Sequence, residues 1–228
     1  MTTNTKSNIL LRYVYSAINI FSPSTCLLCG FSSAPFPSPL CRKCEQLLFS
    51  GETPPHIQTP YIKKIWTCRF YKANMKKCVH QFKYREKTQL INIFEKMFSN
   101  LLTHDIFSTY EVQLVIPVPL HKKRLRSRGY NQSEIIAKKI SKRYGIAISS
   151  GNLIKTRHTT AQMKLSKTLR IKNLINAFSV KNKAIIKGRK ILLVDDVITT
   201  GATLNTCAHE LLKAGAKEIF AFTLARTE

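Results

Sequence analysis

Apolar positions along the chain fall into segments of two periods. Leu90, Ile91, Phe94, Met97, Phe98 and Leu101 recur at three- and four-residue spacing, which predicts a helix over about 88–102. Ile135, Ile136 and Ile140 mark a second helix, Glu134 to Tyr144, stopped by Gly145. Helices are also expected over about 73–84 and from Leu204 to Ala214, the latter ended by Gly215. Short apolar or alternating runs predict strands at Trp66 to Tyr71, Val112 to Val118, Ile191 to Val197 and Glu218 to Leu224. Strands alternating with helices imply an α/β fold built on a parallel sheet flanked by helices. Residues 1–22 read as a helical lead-in, with the Ile9 to Phe21 stretch amphipathic and interrupted by Arg12. Pro23 to Pro60 shows little periodicity, His121 to Gln132 reads as a basic loop, and Leu153 to Asn176 is polar and basic.

Length divides this pattern in two. The 228 residues allow one α/β domain, placed at 61–228, and a small N-terminal module, 1–60. Charge adds a partner class. There are 37 Lys and Arg against 12 Asp and Glu, a formal net charge of +25, which suits a polyanion such as nucleic acid. No apolar run approaches the roughly 18 residues of a membrane span, so no transmembrane segment is expected. Seven cysteines, an odd count without a secreted disulfide framework, point to a reducing, cytoplasmic compartment.

Four of those cysteines form two CxxC knuckles, Cys26/Cys29 and Cys41/Cys44, with eleven residues between them. Each knuckle offers two thiolates, and together they complete a tetrahedron for a structural Zn²⁺. Metal binding would fold a segment too small and Pro-rich to fold alone. An iron–sulfur cluster is the competing occupant. Cys68, Cys78 and Cys207 read as small buried apolar residues.

The most specific chemistry lies at Leu192-Leu-Val-Asp-Asp-Val-Ile-Thr-Thr-Gly-Ala-Thr-Leu204. Asp195 and Asp196 sit at the C-terminal end of a predicted strand, where ligands bind in open α/β sheets. Paired carboxylates there can accept hydrogen bonds from vicinal ribose hydroxyls. Thr199, Thr200, Gly201, Ala202 and Thr203 then open a helix whose free N–H groups and dipole suit a phosphate. Gly201 permits close backbone approach, and the threonine hydroxyls add donors. No Gly-Lys-Ser/Thr follows, which excludes a Walker-type loop.

This stretch resembles the phosphoribosyl pyrophosphate (PRPP) signature of type I phosphoribosyltransferases. After the second strand, five of the seven residues Lys122 to Arg128 are basic, and Gly129-Tyr130-Asn131-Gln132 follows. Arg124, Arg128, Gly129, Asn131 and Gln132 are candidates for a pyrophosphate loop. Lys122, Lys123 and Arg126 are candidates for DNA contact. Arg157 and Gln162, with Arg170 and Asn173 further on, suggest a flap that excludes water from the reacting centre. His158 reads as an exposed polar residue rather than a base.

The order of these features along nearly the whole chain is similar to the ComF/ComFC (competence protein F) family. The resemblance implies a type I phosphoribosyltransferase fold, a zinc finger and a role in natural transformation alongside single-stranded DNA. It further implies PRPP bound with Mg²⁺, Asp195 and Asp196 as catalytic residues on the ribose hydroxyls, and a DNA-uptake helicase or other competence proteins as partners. One departure stands out. Purine-salvage enzymes carry a further carboxylate where Thr199 stands, so purine chemistry through that group is disfavoured. A transferase, a PRPP-binding sensor and a zinc-dependent adaptor for the uptake machinery all fit this sequence.

Overall fold

The computed structural model of the chain describes residues 25–31, 38–84, 87–157 and 177–228. The expected lead-in helix, and Gln162, Arg170, Asn173 and His158 of the expected flap segment, lie outside these. Among the described residues, five parallel strands form the central sheet in the order β1-β7-β6-β2-β3. These are β1 (Lys64–Phe70), β2 (Leu114–Pro117), β3 (Ala147–Ile148), β6 (Lys190–Ile198) and β7 (Glu218–Arg226). Two short strands, β4 (Leu153–Lys155) and β5 (Phe178–Val180), pair antiparallel beside it.

Side-chain alternation along β6 and β7 builds two cores, one on each face. Leu192, Val194, Phe220 and Phe222 face the first, and Ile191, Leu193, Ile219 and Ala221 face the second. The first core is covered by α2 (Ala73–Tyr84), α3 (Ile91–Leu101) and α6 (Gln132–Tyr144), the second by α7 (Ala202–Lys213) and β4 with β5. Aromatic edges lock the first face: Phe82 meets Phe94 at 5.3 Å between centroids, and Phe98 meets Phe222 at 5.7 Å. Each fully buried phenylalanine contributes about 1.5–3 kcal/mol of hydrophobic stabilisation.

The helix expected over 88–102 splits into a 3₁₀ turn, Thr88–Leu90, and α3. Two helices were not legible as such: α1 (Arg42–Phe49), inside the aperiodic cysteine segment, and α4 (His104–Tyr110). The basic segment expected as a loop instead contains a helix, α5 (Lys122–Arg128). Its side chains are all strong helix formers apart from Ser127, His121 caps its start through Lys123 N–H, and Gly129 at φ 81° ends it. None of its residues is buried, so no apolar stripe announces it.

Pro117 is tolerated in β2 because β3 pairs only as far as Val115, leaving that edge open at the proline. On its other side, Val118 N–H donates to Val194 O at 2.9 Å, which fixes the end of β2 against β6. The cysteine segment packs on the main body rather than hanging from it. Cys26, Leu40 and Leu48 share a core with Cys78, Val79 and Phe82 of β-sheet-facing α2, and Lys96 pairs with Glu45 at 2.7 Å.

Candidate functional site

β6 matches the strand expected at Ile191 to Val197, with one residue added at each end. The strand continues through both carboxylates to Ile198, with Asp195 in register with Thr223 of β7. Asp195 and Asp196 therefore sit on the strand near its C-terminal end, as expected. Asp195 Oδ1 accepts from Ser133 Oγ at 2.9 Å and from Asp196 N–H at 2.9 Å. Asp196 Oδ1 lies 2.7 Å from Lys83 Nζ, at the end of α2.

Electrostatics set the two partners apart. Burial, then the Asp196 charge, pushes the Asp195 carboxyl up to about 7, against the pull of Lys83, the Asp196 N–H and Ser133. Burial also works against the Lys83 ammonium, but Asp196 and then Asp195 outweigh it and hold its pKa above the ordinary lysine value. The result is a carboxylate pair sharing one ammonium, with one carboxyl able to take up a proton near neutrality.

The Gly-Tyr-Asn-Gln segment organises this cluster from beneath. Tyr130 OH donates to Phe82 O, fixing the last turn of α2 where Lys83 stands. Asn131 caps α6 by accepting from Ser133 N–H, and its Nδ2 donates to Val118 O at 3.0 Å. Gln132 is fully buried, with Nε2 3.5 Å from Lys83 O. Asn131 and Gln132 thus act on backbone groups and place Ser133 and Lys83. Arg124 and Arg128, by contrast, line a cavity of about 310 Å³ together with Lys83, Tyr84 and Ser127. Lys122, Lys123 and Arg126 are exposed on the outer surface of α5.

A second cavity, about 520 Å³, lies across α5 and is bordered by Pro117, His121, Lys122, Leu125 and Lys155 among others. Burial and the Arg124 charge lower the Lys155 pKa. Arg157 is described just beyond β4; Gln162 is not among the described residues. On the far side of the pair, the chain leaves β6 through exposed Thr199 and Thr200 and enters α7 at buried Gly201. Gly201 has φ 74°, a conformation L side chains rarely adopt, so glycine is the residue this turn accommodates. Ala202 N–H reaches Thr200 Oγ1 at 3.4 Å, and Thr203 is half-buried in the first turn.

Four cysteine sulfurs, Cys26, Cys29, Cys41 and Cys44, all lie within 4.8 Å of one another, and Cys29 Sγ is 3.9 Å from Cys41 Sγ. A tetrahedral site with metal–sulfur bonds of about 2.3 Å has sulfur–sulfur edges of about 3.8 Å. The donor set and spacing fit a structural metal ion. Cys68, Cys78 and Cys207 are buried and are not among these four.

Residues 126–227 match the phosphoribosyl transferase domain family. DNA utilization protein YhgH of Salmonella typhimurium is 30% identical over 209 residues, covering 90% of this chain and 85% of that protein. Competence protein ComFC of Bacillus subtilis is 30% identical over 203 residues, covering 89% of this chain and 78% of that protein. The chain belongs to the competence protein F (ComF) family. Competence protein F of Haemophilus influenzae is 35% identical over 152 residues, covering 65% and 66% of the two chains. As expected of a ComF member, the fold is phosphoribosyltransferase-like with a four-cysteine module. The matched domain region starts inside α5 and ends just past β7, so it contains Asp195, Asp196 and Gly201 but neither Lys83 nor the four clustered cysteines.

Three site residues escaped sequence reasoning. Lys83 ends an amphipathic helix, where a lysine ordinarily points to water, and nothing local ties it to a carboxylate 113 positions later. Ser133 follows a capping asparagine and reads as part of the cap. Lys155 carries no signal at all.

Proposed function

We propose that this chain is a PRPP- and single-stranded-DNA-binding protein acting in DNA uptake in the cytoplasm; the relatives named for competence and DNA utilisation support the DNA part of the reading. The observation that carries the reading is the Asp195–Asp196 pair on the central strand, between the Gly201 entry to α7 and the cationic cavity of Lys83, Arg124 and Arg128. In this reading Asp195 and Asp196 accept the ribose hydroxyls, and the 199–203 turn donates N–H groups to the 5-phosphate. Arg124 and Arg128 meet the pyrophosphate, with Gly129, Asn131 and Gln132 shaping the segment that presents them. Arg157, just beyond β4, is assigned to the same ligand.

Mg²⁺ suits the hard oxygen donors of the carboxylate pair and of PRPP, and when bound it supplies charge neutralisation at the diphosphate. Lys83 already neutralises part of the pair, and its ammonium is placed to turn from Asp196 toward the diphosphate. Zn²⁺ in the four-cysteine cluster is structural, since all four ligands come from the protein. Within the 1–60 module, the described cysteine segment then serves as a cap on α2, and the 61–228 domain carries the ligand site. Lys122, Lys123 and Arg126 face solvent and meet the DNA backbone.

Two assays test the reading. Anisotropy of a labelled single-stranded oligonucleotide should show binding that weakens steeply with salt; a flat salt response contradicts phosphate contacts. Pyrophosphate release from Mg²⁺·PRPP on adding DNA marks phosphoribosyl transfer. PRPP binding without release marks a ligand-responsive DNA-binding protein; Thr199 in place of a further carboxylate disfavours only a purine acceptor.

A further inference from the structure

We infer that Tyr84 is a base-stacking platform for single-stranded DNA at the mouth of the Arg124–Arg128 cavity, and that the exposed face of α2 carries the strand to it. Tyr84 is 62% exposed, although it closes a helix packed against the main core. A large aromatic ring left in water in this way is out of keeping with the rest of α2, whose Met75, Val79 and Phe82 are fully or nearly fully buried. The ring is covered only in part. The Arg128 guanidinium lies over it, 4.7 Å from its centroid, and the His80 ring is tilted against it at 4.8 Å, yet most of the residue stays open to solvent.

Helical spacing extends the surface. Lys76, Lys77 and His80 are exposed on α2, and positions 77, 80 and 84 fall on one stripe. α5 presents Lys122, Lys123 and Arg126 to solvent nearby, and neither helix carries an acidic residue. Cations that can follow a phosphate backbone, set beside an aromatic face that accepts any base, are the two components of sequence-tolerant single-strand binding. Base pairs hide their faces by stacking within a duplex, so an exposed ring favours unpaired DNA. Tyr84 also lines the same cavity as Lys83, whose ammonium holds Asp196. A base held on Tyr84 therefore lies next to the pocket assigned above to pyrophosphate.

This inference rests on the reading that the chain binds single-stranded DNA, and the test separates the two. A single-stranded oligodeoxynucleotide carrying 5-iodouracil is titrated against the full chain, irradiated, and the cross-linked peptide mapped, with wild type, Tyr84→Ala and Tyr84→Phe compared. The expected result is a cross-link at Tyr84, affinity about tenfold weaker in Tyr84→Ala, and affinity within about twofold of wild type in Tyr84→Phe. A duplex of the same sequence should bind more weakly and leave Tyr84 uncross-linked. Tyr84 is exposed, so Tyr84→Ala should fold, and an unchanged melting temperature verifies this. Wild-type binding with Tyr84→Ala unaffected, a cross-link mapping elsewhere, or equal binding of duplex overturns the platform and leaves DNA binding standing. Absence of oligonucleotide binding by wild type overturns both.

Discussion

Replacing Lys83 by methionine keeps the apolar stem and removes the charge beside Asp196. The pair is 2.7 Å apart, and its side chains are 18% and 10% exposed. Removing one partner of a buried ion pair costs about 3–5 kcal/mol. Residual solvent contact brings the expectation here to about 2–4 kcal/mol at pH 8. For a chain of this size that lowers Tm by roughly 4–16 °C. The loss depends on pH, and Asp195 sets the sign. Its carboxyl sits at about 7 in the folded chain, against about 3.9 when unfolded. Between those values the folded state holds more protons than the unfolded state. Its contribution is therefore fully present below about pH 4 and is lost as pH rises toward 7. Without Lys83 the carboxyl rises further, and the loss extends to higher pH. Lys83→Met should consequently cost most near pH 8 and least near pH 5.5. Urea unfolding of both proteins without Mg²⁺, followed by the emission of the single tryptophan, buried Trp66, measures this directly. An equal loss at both pH values, or one under about 0.5 kcal/mol at pH 8, the range of an exposed surface pair, refutes the shared-ammonium account.

Other perturbations test separate parts of the site. Asp195→Asn removes a buried charge while keeping the side-chain shape, so at pH 8 it should stabilise the chain by about 1–3 kcal/mol; a melting point below wild type would show that the Ser133 and Asp196 hydrogen bonds outweigh burial. Gly201→Ala forces a side chain onto a backbone at φ 74° and should cost about 1–3 kcal/mol in urea unfolding; a neutral effect would contradict the strained turn. Changing Lys122, Lys123 and Arg126 together to alanine removes three candidate phosphate contacts. The slope of log affinity against log salt should become shallower by about 2, and an unchanged slope would place the DNA elsewhere.

Periodic burial made α2 and α6 legible, together with the strands β6 and β7, because each buries an unbroken apolar pattern. The Asp-Asp and Thr-Thr-Gly-Ala-Thr spacing was legible for a different reason: a strand, a turn and a helix must follow one another for those groups to converge. α5 was hidden because it buries nothing, so its helix comes from local propensity, the His121 cap and Gly129. α1 was hidden because it begins on Cys41, which also belongs to the sulfur cluster. β3, β4 and β5 are only two or three residues long, too short to show a period. Lys83 gains its role only when Tyr130 and Gln132 hold the end of α2 over β6, a tertiary fact with no local trace. Gln132, expected in the pyrophosphate loop, is fully buried with Nε2 3.5 Å from Lys83 O, a placement that spacing alone does not reveal.

The central claim is that the carboxylate pair on β6 forms the floor of a PRPP site. Isothermal titration of Mg²⁺·PRPP into the wild-type chain and into Asp195→Ala/Asp196→Ala, at one pH above 7, tests it most directly. The account predicts saturable, Mg²⁺-dependent binding to wild type and at least a hundredfold loss in the double variant, about 2.7 kcal/mol. Equal affinity in the two proteins would contradict it.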